Sequence, residues 1–113
     1  MRDFIDLGER HSYSAEVATE IGIPQTVILE SINHWVLRNK KRGINLHDGK
    51  YWVEATVADF GECFPYFSRG QLNLCITKLK DAGYIETGHF CEDAFDRTTW
   101  YTITEKGKDL LGS

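Results

Sequence analysis

Long apolar segments are missing from this sequence. No apolar run approaches the roughly eighteen residues that a membrane-spanning helix needs, and the N-terminus does not place an apolar stretch after a basic one. These absences argue against a membrane span and a signal peptide. We therefore expect a soluble protein of the cytoplasm.

Cysteine is scarce, and the motifs of common enzymes are absent. The three cysteines, Cys63, Cys75 and Cys91, include no Cys-x-x-Cys pair, and no second pair joins His89 and Cys91 to complete a zinc site. We expect reduced, mostly buried thiols, no metal and no cofactor. There is no glycine-rich phosphate loop, His-x-x-x-His pair or Gly-x-Ser-x-Gly elbow, and His34 and His89 stand alone. The sequence predicts a protein that is not an enzyme.

Positive charge is not in excess either. The 113 residues carry a formal net charge of −4, whereas neutralisation of phosphates by Lys and Arg supplies most non-specific affinity for DNA. An acidic total lowers the expectation of DNA binding without excluding it, because the local distribution of charge decides the contact surface. A hydrophobic content of 42% and three tryptophans predict one folded domain.

The most informative segment runs from Phe67 to Tyr84. Ser68 is a good helix N-cap, and Gly83 can end the helix in the left-handed conformation. Between them, four apolar residues recur at spacings of three and four: Leu72, Cys75, Ile76 and Leu79. A β-strand is predicted immediately afterwards. This order is typical of the third helix and wing of a winged helix-turn-helix.

Upstream, we expect residues 1–13 to form a loosely packed N-terminal arm. Ser14 caps a predicted helix from Ala15 to Ile21 that ends at Gly22, and Pro24 opens a longer one to about Lys41. The buried stripe of the longer helix is Ile28, Ile32, Trp35 and Val36, widened by Val27 and Leu29. Its end carries four positive charges: Arg38, Lys40, Lys41 and Arg42. They either complement the helix dipole or form a phosphate-contacting patch.

The remaining segments predict a hairpin, a short helix, a wing and a tail. The hairpin covers residues 44–53 and turns at Asp48-Gly49, and Thr56 caps a helix to about Cys63, with Val57 and Phe60 facing inward. Pro65 marks the following turn. The wing strands are residues 84–90 and 97–104, with Thr99, Tyr101 and Ile103 on one face and Trp100 and Thr102 on the other. Residues 105–111 form a last helix.

The predicted fold class is therefore α+β: a winged helix-turn-helix over residues 14–111, mostly helical, with a small antiparallel sheet and a two-stranded wing. The sequence resembles the N-terminal winged-helix domain of phage and mobile-element replication initiators (replisome organisers). The motifs that carry the resemblance are Ile28-Leu29 through His34-Trp35, Asp48-Gly49 with Tyr51-Trp52-Val53, Phe64-Pro65-Tyr66-Phe67-Ser68, Leu79 with Gly83-Tyr84-Ile85, and Asp96-Arg97-Thr98-Thr99-Trp100-Tyr101-Thr102-Ile103. The resemblance implies binding of origin DNA, and in that family a second, C-terminal domain usually follows.

If DNA is bound, the N-terminal residues of the third helix lie at base edges in the major groove. The candidates there are Ser68, Arg69, Gln71 and Asn73. Arg69 suits guanine, and Gln71 or Asn73 suits adenine, although all can equally be solvated polar residues. Lys78 is a candidate phosphate contact. The wing candidates are His89, Glu92, Asp93, Asp96 and Arg97, although Arg97 can simply brace the hairpin. Trp52, Trp100 and Tyr101 are expected to be core or hairpin-clamping aromatics.

Two departures from the family weaken the expectation of DNA reading. Members typically carry basic residues in the first turns of the third helix, where this chain has Gln71, Asn73 and Leu74. The wing holds mostly carboxylates, and these are repelled by phosphates. In a competing placement, Ala18, Gly22 and Ile28 mark a helix-turn-helix whose second helix starts at Pro24, but the broad apolar face of that helix argues for a packed one.

Two functions therefore stay open. The first is a DNA-binding module for replication initiation or transcriptional control in a phage or mobile element, binding double-stranded DNA. The second is a protein-interaction module whose acidic wing contacts a basic protein partner, for example as an inhibitor of a host complex that handles nucleic acid. A homodimer through the flanking segments is compatible with either.

Overall fold

The fold is α+β. The computed structural model describes residues 13–90 and 98–112, in which five helices surround small antiparallel sheets. The helices are α1 (Ala15–Ile21), α2 (Ile23–Arg42), α3 (Val57–Cys63), α4 (Arg69–Asp81) and α5 (Glu105–Leu111). The strands are β1 (Leu46–His47), β2 (Lys50–Tyr51), β3 (Val53–Ala55), β4 (Ile85–Gly88) and β5 (Thr99–Ile103). Of the expected arm, only Tyr13 lies within the described residues, and its side chain is exposed.

Side-chain caps fix where the short helices begin. The hydroxyls of Ser14, Thr56 and Ser68 each accept a hydrogen bond from a backbone N–H in the first turn of α1, α3 and α4. These three caps were predicted and are confirmed. Thr104 caps α5 in the same way. Gly83 adopts the predicted left-handed conformation, with φ of 82°, directly after α4.

α2 is the central helix of the core. Its predicted stripe is confirmed, since Ile28, Leu29 and Ile32 are fully buried and Val27, Trp35 and Val36 nearly so. The helix packs against α1, α4, α5 and three strands. A helix that is covered on so many sides leaves little free surface for a groove of DNA, which argues against the competing placement of the reading helix.

The three-stranded sheet has the order β3-β5-β4 and is antiparallel throughout. The predicted strand at residues 84–90 is shorter than expected, and its return strand begins at Thr99 rather than Arg97. The predicted alternation along β5 places Tyr101 and Ile103 in the main core with α2. The opposite face is buried as well, because the Thr102 hydroxyl donates to the Tyr51 carbonyl at 2.7 Å and thereby attaches the β1–β2 hairpin.

The single hairpin predicted over residues 44–53 is only partly correct. Strands β1 and β2 pair for two residues each around the expected turn, where Asp48 and Gly49 have φ of 53° and 76°. The Trp52 N–H still donates to the carbonyl of Asn45 at 3.0 Å, in the same register, and the chain leaves this ladder after Trp52. Val53 begins a different sheet by pairing with Tyr101. The side chain of Val53 enters the main core, which explains the change of partner.

The main core lies between α2, α3, α4 and the inner face of the sheet. Trp35, Phe60 and Phe64 form its aromatic centre, and the Phe60 ring meets Tyr101 edge-on at 5.2 Å between centroids. Phe60 faces inward as predicted, whereas Val57 is half-buried.

Candidate nucleic-acid interface

The turn between α3 and α4 is held by aromatic packing. Phe64 is fully buried. The Phe67 N–H donates to the Phe64 carbonyl at 3.0 Å across the turn that contains Pro65. The Phe67 ring packs near Phe64 and Tyr66, at 6.1 and 4.7 Å between centroids. Tyr66 itself is 57% exposed. This packing sets the position of α4 relative to α3.

Two of the predicted base-contacting residues form the cap of α4. The Ser68 hydroxyl accepts from the Gln71 N–H at 3.1 Å, and Gln71 Oε1 accepts from the Ser68 N–H at 2.8 Å. This reciprocal pair is a capping box. A bidentate contact from Gln71 to adenine would compete with one of these bonds. The structure thus gives Ser68 and Gln71 a structural role, and their contact with DNA stays a prediction.

The outer face of α4 is exposed and sparsely charged. Leu72, Cys75 and Leu79 point into the core, as predicted. At helical spacing the opposite face carries Gly70, Asn73, Leu74, Thr77 and Asp81, all exposed. Arg69 lies at one edge of this face and Lys78 at the other.

Leu74 is exposed on α4 but is not among the predicted site residues. Its side chain is 54% exposed near the middle of the outer face of α4. The signal was present in the sequence, because Leu74 falls two residues after Leu72 and therefore outside the buried stripe. An exposed leucine at this position can contact a thymine methyl group or an apolar patch on a protein.

The predicted phosphate-contacting cluster is only partly on the surface. Arg38 is half-buried, whereas Lys40, Lys41 and Arg42 are exposed at the end of α2. The intervening Asn39 is buried and donates from its amide to the Trp52 carbonyl at 2.8 Å. This bond fixes the end of the helix against β3. Lys40 lines one cleft, and Arg69 lines a separate, smaller depression. The two share no lining residue.

The residues that follow β4 are anchored by an aromatic cluster on the outer side of the sheet. His47 stacks on Phe90 at 4.5 Å between centroids, and Trp52 and Trp100 meet the Phe90 ring edge-on at 4.8 and 5.8 Å. Trp52 also donates from its indole to the His47 carbonyl at 2.9 Å. The prediction that Trp52 and Trp100 are core or hairpin-clamping aromatics is confirmed, because both are buried in this cluster. His89 is exposed, and Glu92, Asp93, Asp96 and Arg97 lie outside the described residues.

The thiols within the described residues are buried. Cys63 and Cys75 are in no disulfide and are 6% and 5% exposed, and burial raises the pKa of the Cys75 thiol although nearby Lys78 opposes the shift. Such a thiol is a poor nucleophile. Cys91, the third cysteine, lies outside the description. Within residues 13–90 and 98–112 no group of His, Cys, Asp and Glu is arranged to hold a metal ion, and no helix is long and apolar enough to cross a membrane.

Comparison with protein-family models, with curated proteins and with solved structures finds no match to this chain. The family suggested by the sequence therefore stays a prediction, and any function has to be argued from the geometry itself.

Proposed function

We propose that this chain is a winged-helix, non-catalytic, cytoplasmic DNA-binding module of a phage or mobile-element replication initiator or regulator. The observation that carries the proposal is the order of elements around α4. A capped helix follows a tight aromatic turn, leaves its outer face free, and continues into β4 and β5 of a β3-β5-β4 sheet. A helix-turn-helix presents its second helix to the major groove in this manner.

The side chains that would read bases are Arg69 and Asn73. Both are exposed on α4, and the part of the chain that the structure describes offers Arg69 no hydrogen-bond or ion-pair partner. Gly70 lies between them near the start of the helix and is exposed, so the backbone there can approach a groove closely. Arg69 suits guanine, Asn73 suits adenine, and Leu74 suits a thymine methyl group.

The distribution of charge permits this function despite the acidic total. The described residues carry ten Lys and Arg against eleven Asp and Glu, which is close to neutral. Most of the net charge of −4 therefore belongs to residues 1–12 and 91–97. Lys41, Arg42 and Lys78 are exposed cations on α2 and α4, and their position on the surface allows contact with phosphates.

The first experiment is binding of the full chain to random duplex DNA across a salt series. We expect affinity to fall linearly with the logarithm of salt concentration, and Lys41→Gln, Arg42→Gln and Lys78→Gln each to reduce the slope by about one. A folded protein without salt-sensitive binding at low ionic strength would refute the proposal.

Variants at Arg69 separate charge from base reading. Arg69→Lys keeps the positive charge and loses the bidentate fork, so we expect relaxed base preference with an unchanged salt slope. Arg69→Ala should lower both the base preference and the salt slope. Asn73→Ala should relax the preference at a different base pair, with a loss of discrimination of about 1–3 kcal/mol. An unchanged preference in a selection from random sequences would remove these residues from the site.

A protein-interaction module is the second candidate, and Leu74 and Tyr66 favour it. Both are more than half exposed on or beside α4, and apolar side chains of this kind are common in protein interfaces. The carboxylates of residues 91–97 suit a basic protein partner. Leu74→Ser distinguishes the candidates: it should leave the DNA salt slope unchanged but weaken a protein interface by more than tenfold.

A further inference from the structure

A second candidate site lies away from the α3–α4 turn. A cleft of about 750 Å³ is bordered by the second half of α2, the β1–β2 turn, β4 and β5, and the start of α5. This volume lies within the range of about 300–1,000 Å³ that small-molecule sites occupy. None of the residues predicted to read bases contributes to it, and of the predicted phosphate contacts only Lys40 does.

One part of the cleft wall is apolar. Val36, Tyr51 and Ile103 form part of the main core or pack against it, and they also line the cleft. Leu37 lines it with a side chain that is 50% exposed, and Leu46, 54% exposed, lies directly opposite Tyr51 in the β1–β2 ladder. Paired residues of an antiparallel ladder project to the same side, so Leu46 extends the apolar surface at Tyr51. This surface can bind an apolar group.

Three lysines give the cleft a positive rim. Lys50 pairs with Glu86 at 2.7 Å and Lys108 with Glu105 at 3.4 Å, so the charges of these two lysines are balanced. Lys40 also lines the cleft and pairs with no carboxylate among the described residues. One positive charge is therefore left over, and it favours an anionic group on the ligand.

A hydrogen-bond acceptor completes the site. Asn33 lines the cleft one helical turn from Leu37, and its Oδ1 is buried and accepts no hydrogen bond from the described residues. By contrast, the hydroxyls of Thr102 and Thr104 already donate to backbone carbonyls. This oxygen has almost no solvent-accessible surface, so a ligand N–H reaches it when the Asn33 side chain turns toward the cleft, and buried polar atoms are rarely left unpaired.

We propose that this cleft binds a small anionic molecule with an apolar body, such as an aryl carboxylate, sulfonate or phosphate. The apolar body lies against Leu37 and Tyr51, and the anionic group lies at Lys40. The inference does not depend on DNA binding at α4.

The test uses 8-anilinonaphthalene-1-sulfonate, which combines a sulfonate, an aromatic body and an N–H donor. We expect a rise in its fluorescence with the full chain, and amide chemical-shift changes centred on Asn33, Gly49 and Lys50. Lys40→Glu and Leu37→Ser should each weaken binding about tenfold or more. The matched controls, Lys78→Glu and Leu74→Ser, change equally exposed residues on α4 and should leave it unchanged.

Three results would overturn the proposal. One is an absence of binding by a folded protein, and another is binding that Lys40→Glu and Leu37→Ser leave intact. The third is displacement of the probe by duplex DNA with loss of the same chemical-shift changes, because the cleft would then belong to a DNA interface. Failure of DNA binding with the probe still bound at Lys40 would refute the proposed function and leave this site standing.

Discussion

Among the glycines that the structure describes, Gly107 has the least room for a side chain. A Cβ at this position would clash with the Tyr84 carbonyl oxygen and lie 2.7 Å from the Ile103 side chain. Gly107 is buried in the first turn of α5, where the Thr104 hydroxyl accepts its N–H. The absence of a side chain therefore allows α5 to pack directly on the α4–β4 connection.

Gly107→Ala should lower the free energy of unfolding by about 1–3 kcal/mol, because the added methyl group forces the backbone apart. Helix propensity alone predicts the opposite sign, a gain of about 0.5–1 kcal/mol. Gly61→Ala in α3 is the matched control, since a Cβ there meets nothing within 4 Å, and it should show that gain. Urea denaturation of both variants measures the difference. A stabilised Gly107→Ala variant would mean that α5 packs elsewhere.

Sequence patterns could predict features that depend on near neighbours. The caps at Ser14, Thr56 and Ser68 and the left-handed glycine at 83 involve groups within one helical turn, so local residue types determine them. The close contact at Gly107 could not be predicted, because it involves a backbone atom of Tyr84 that only the folded chain brings near.

At the scale of elements, α4 combines a structural first turn with an unassigned outer face. Ser68 and Gln71 form its cap, while the side chains of Arg69 and Asn73 make no hydrogen bonds within the described residues. In the sequence these four belong together because they lie in the first turns of the helix, where a recognition helix meets base edges. Only the hydrogen-bond geometry separates the two that stabilise the helix from the two that are free to bind a partner.

Ser68→Ala should cost about 1 kcal/mol of stability, because it removes the acceptor for the Gln71 N–H. Arg69→Ala and Asn73→Ala should change stability by less than about 0.5 kcal/mol, as exposed residues without partners usually do. Thr77→Ala, exposed on the same helix, is the control for a polar residue outside the cap. Thermal and urea unfolding measure these changes. Equal losses of unfolding free energy in Ser68→Ala and Asn73→Ala would contradict the assignment of Ser68 to the cap and Asn73 to the free outer face.

The wrong part of the hairpin prediction has the same physical origin as the unpredicted contact at Gly107. Val53 pairs with Tyr101, which is distant in sequence, and the Thr102 hydroxyl bonds to the Tyr51 carbonyl. A local pattern favours continuing the β1–β2 ladder, and the gain from burying Val53 in the core outweighs it. Likewise, the cleft at Lys40 and Tyr51 combines segments from across the chain, so no sequence motif indicates it.

For the molecule as a whole, β5 joins two hydrophobic clusters. Tyr101 and Ile103 belong to the main core on one face, and Trp100 belongs to the aromatic cluster of His47, Trp52 and Phe90 on the other. Loss of either cluster exposes a face of the same central strand. Because both depend on that strand, we expect them to unfold together.

The cooperativity of unfolding tests this dependence. The Trp35→Phe variant leaves Trp52 and Trp100 as the only tryptophans, so its fluorescence reports the aromatic cluster, whereas far-UV circular dichroism reports mainly the helices. The two urea transitions should coincide. Adding Phe90→Ala should lower both midpoints together. The free energy of unfolding should fall by about 1–3 kcal/mol, since this ring is half-buried. Ile103→Ala on the opposite face should do the same, by about 2–5 kcal/mol. If fluorescence changes at lower urea than circular dichroism, the aromatic cluster and the β1–β2 hairpin unfold separately from the helical core, and β5 does not unite the domain.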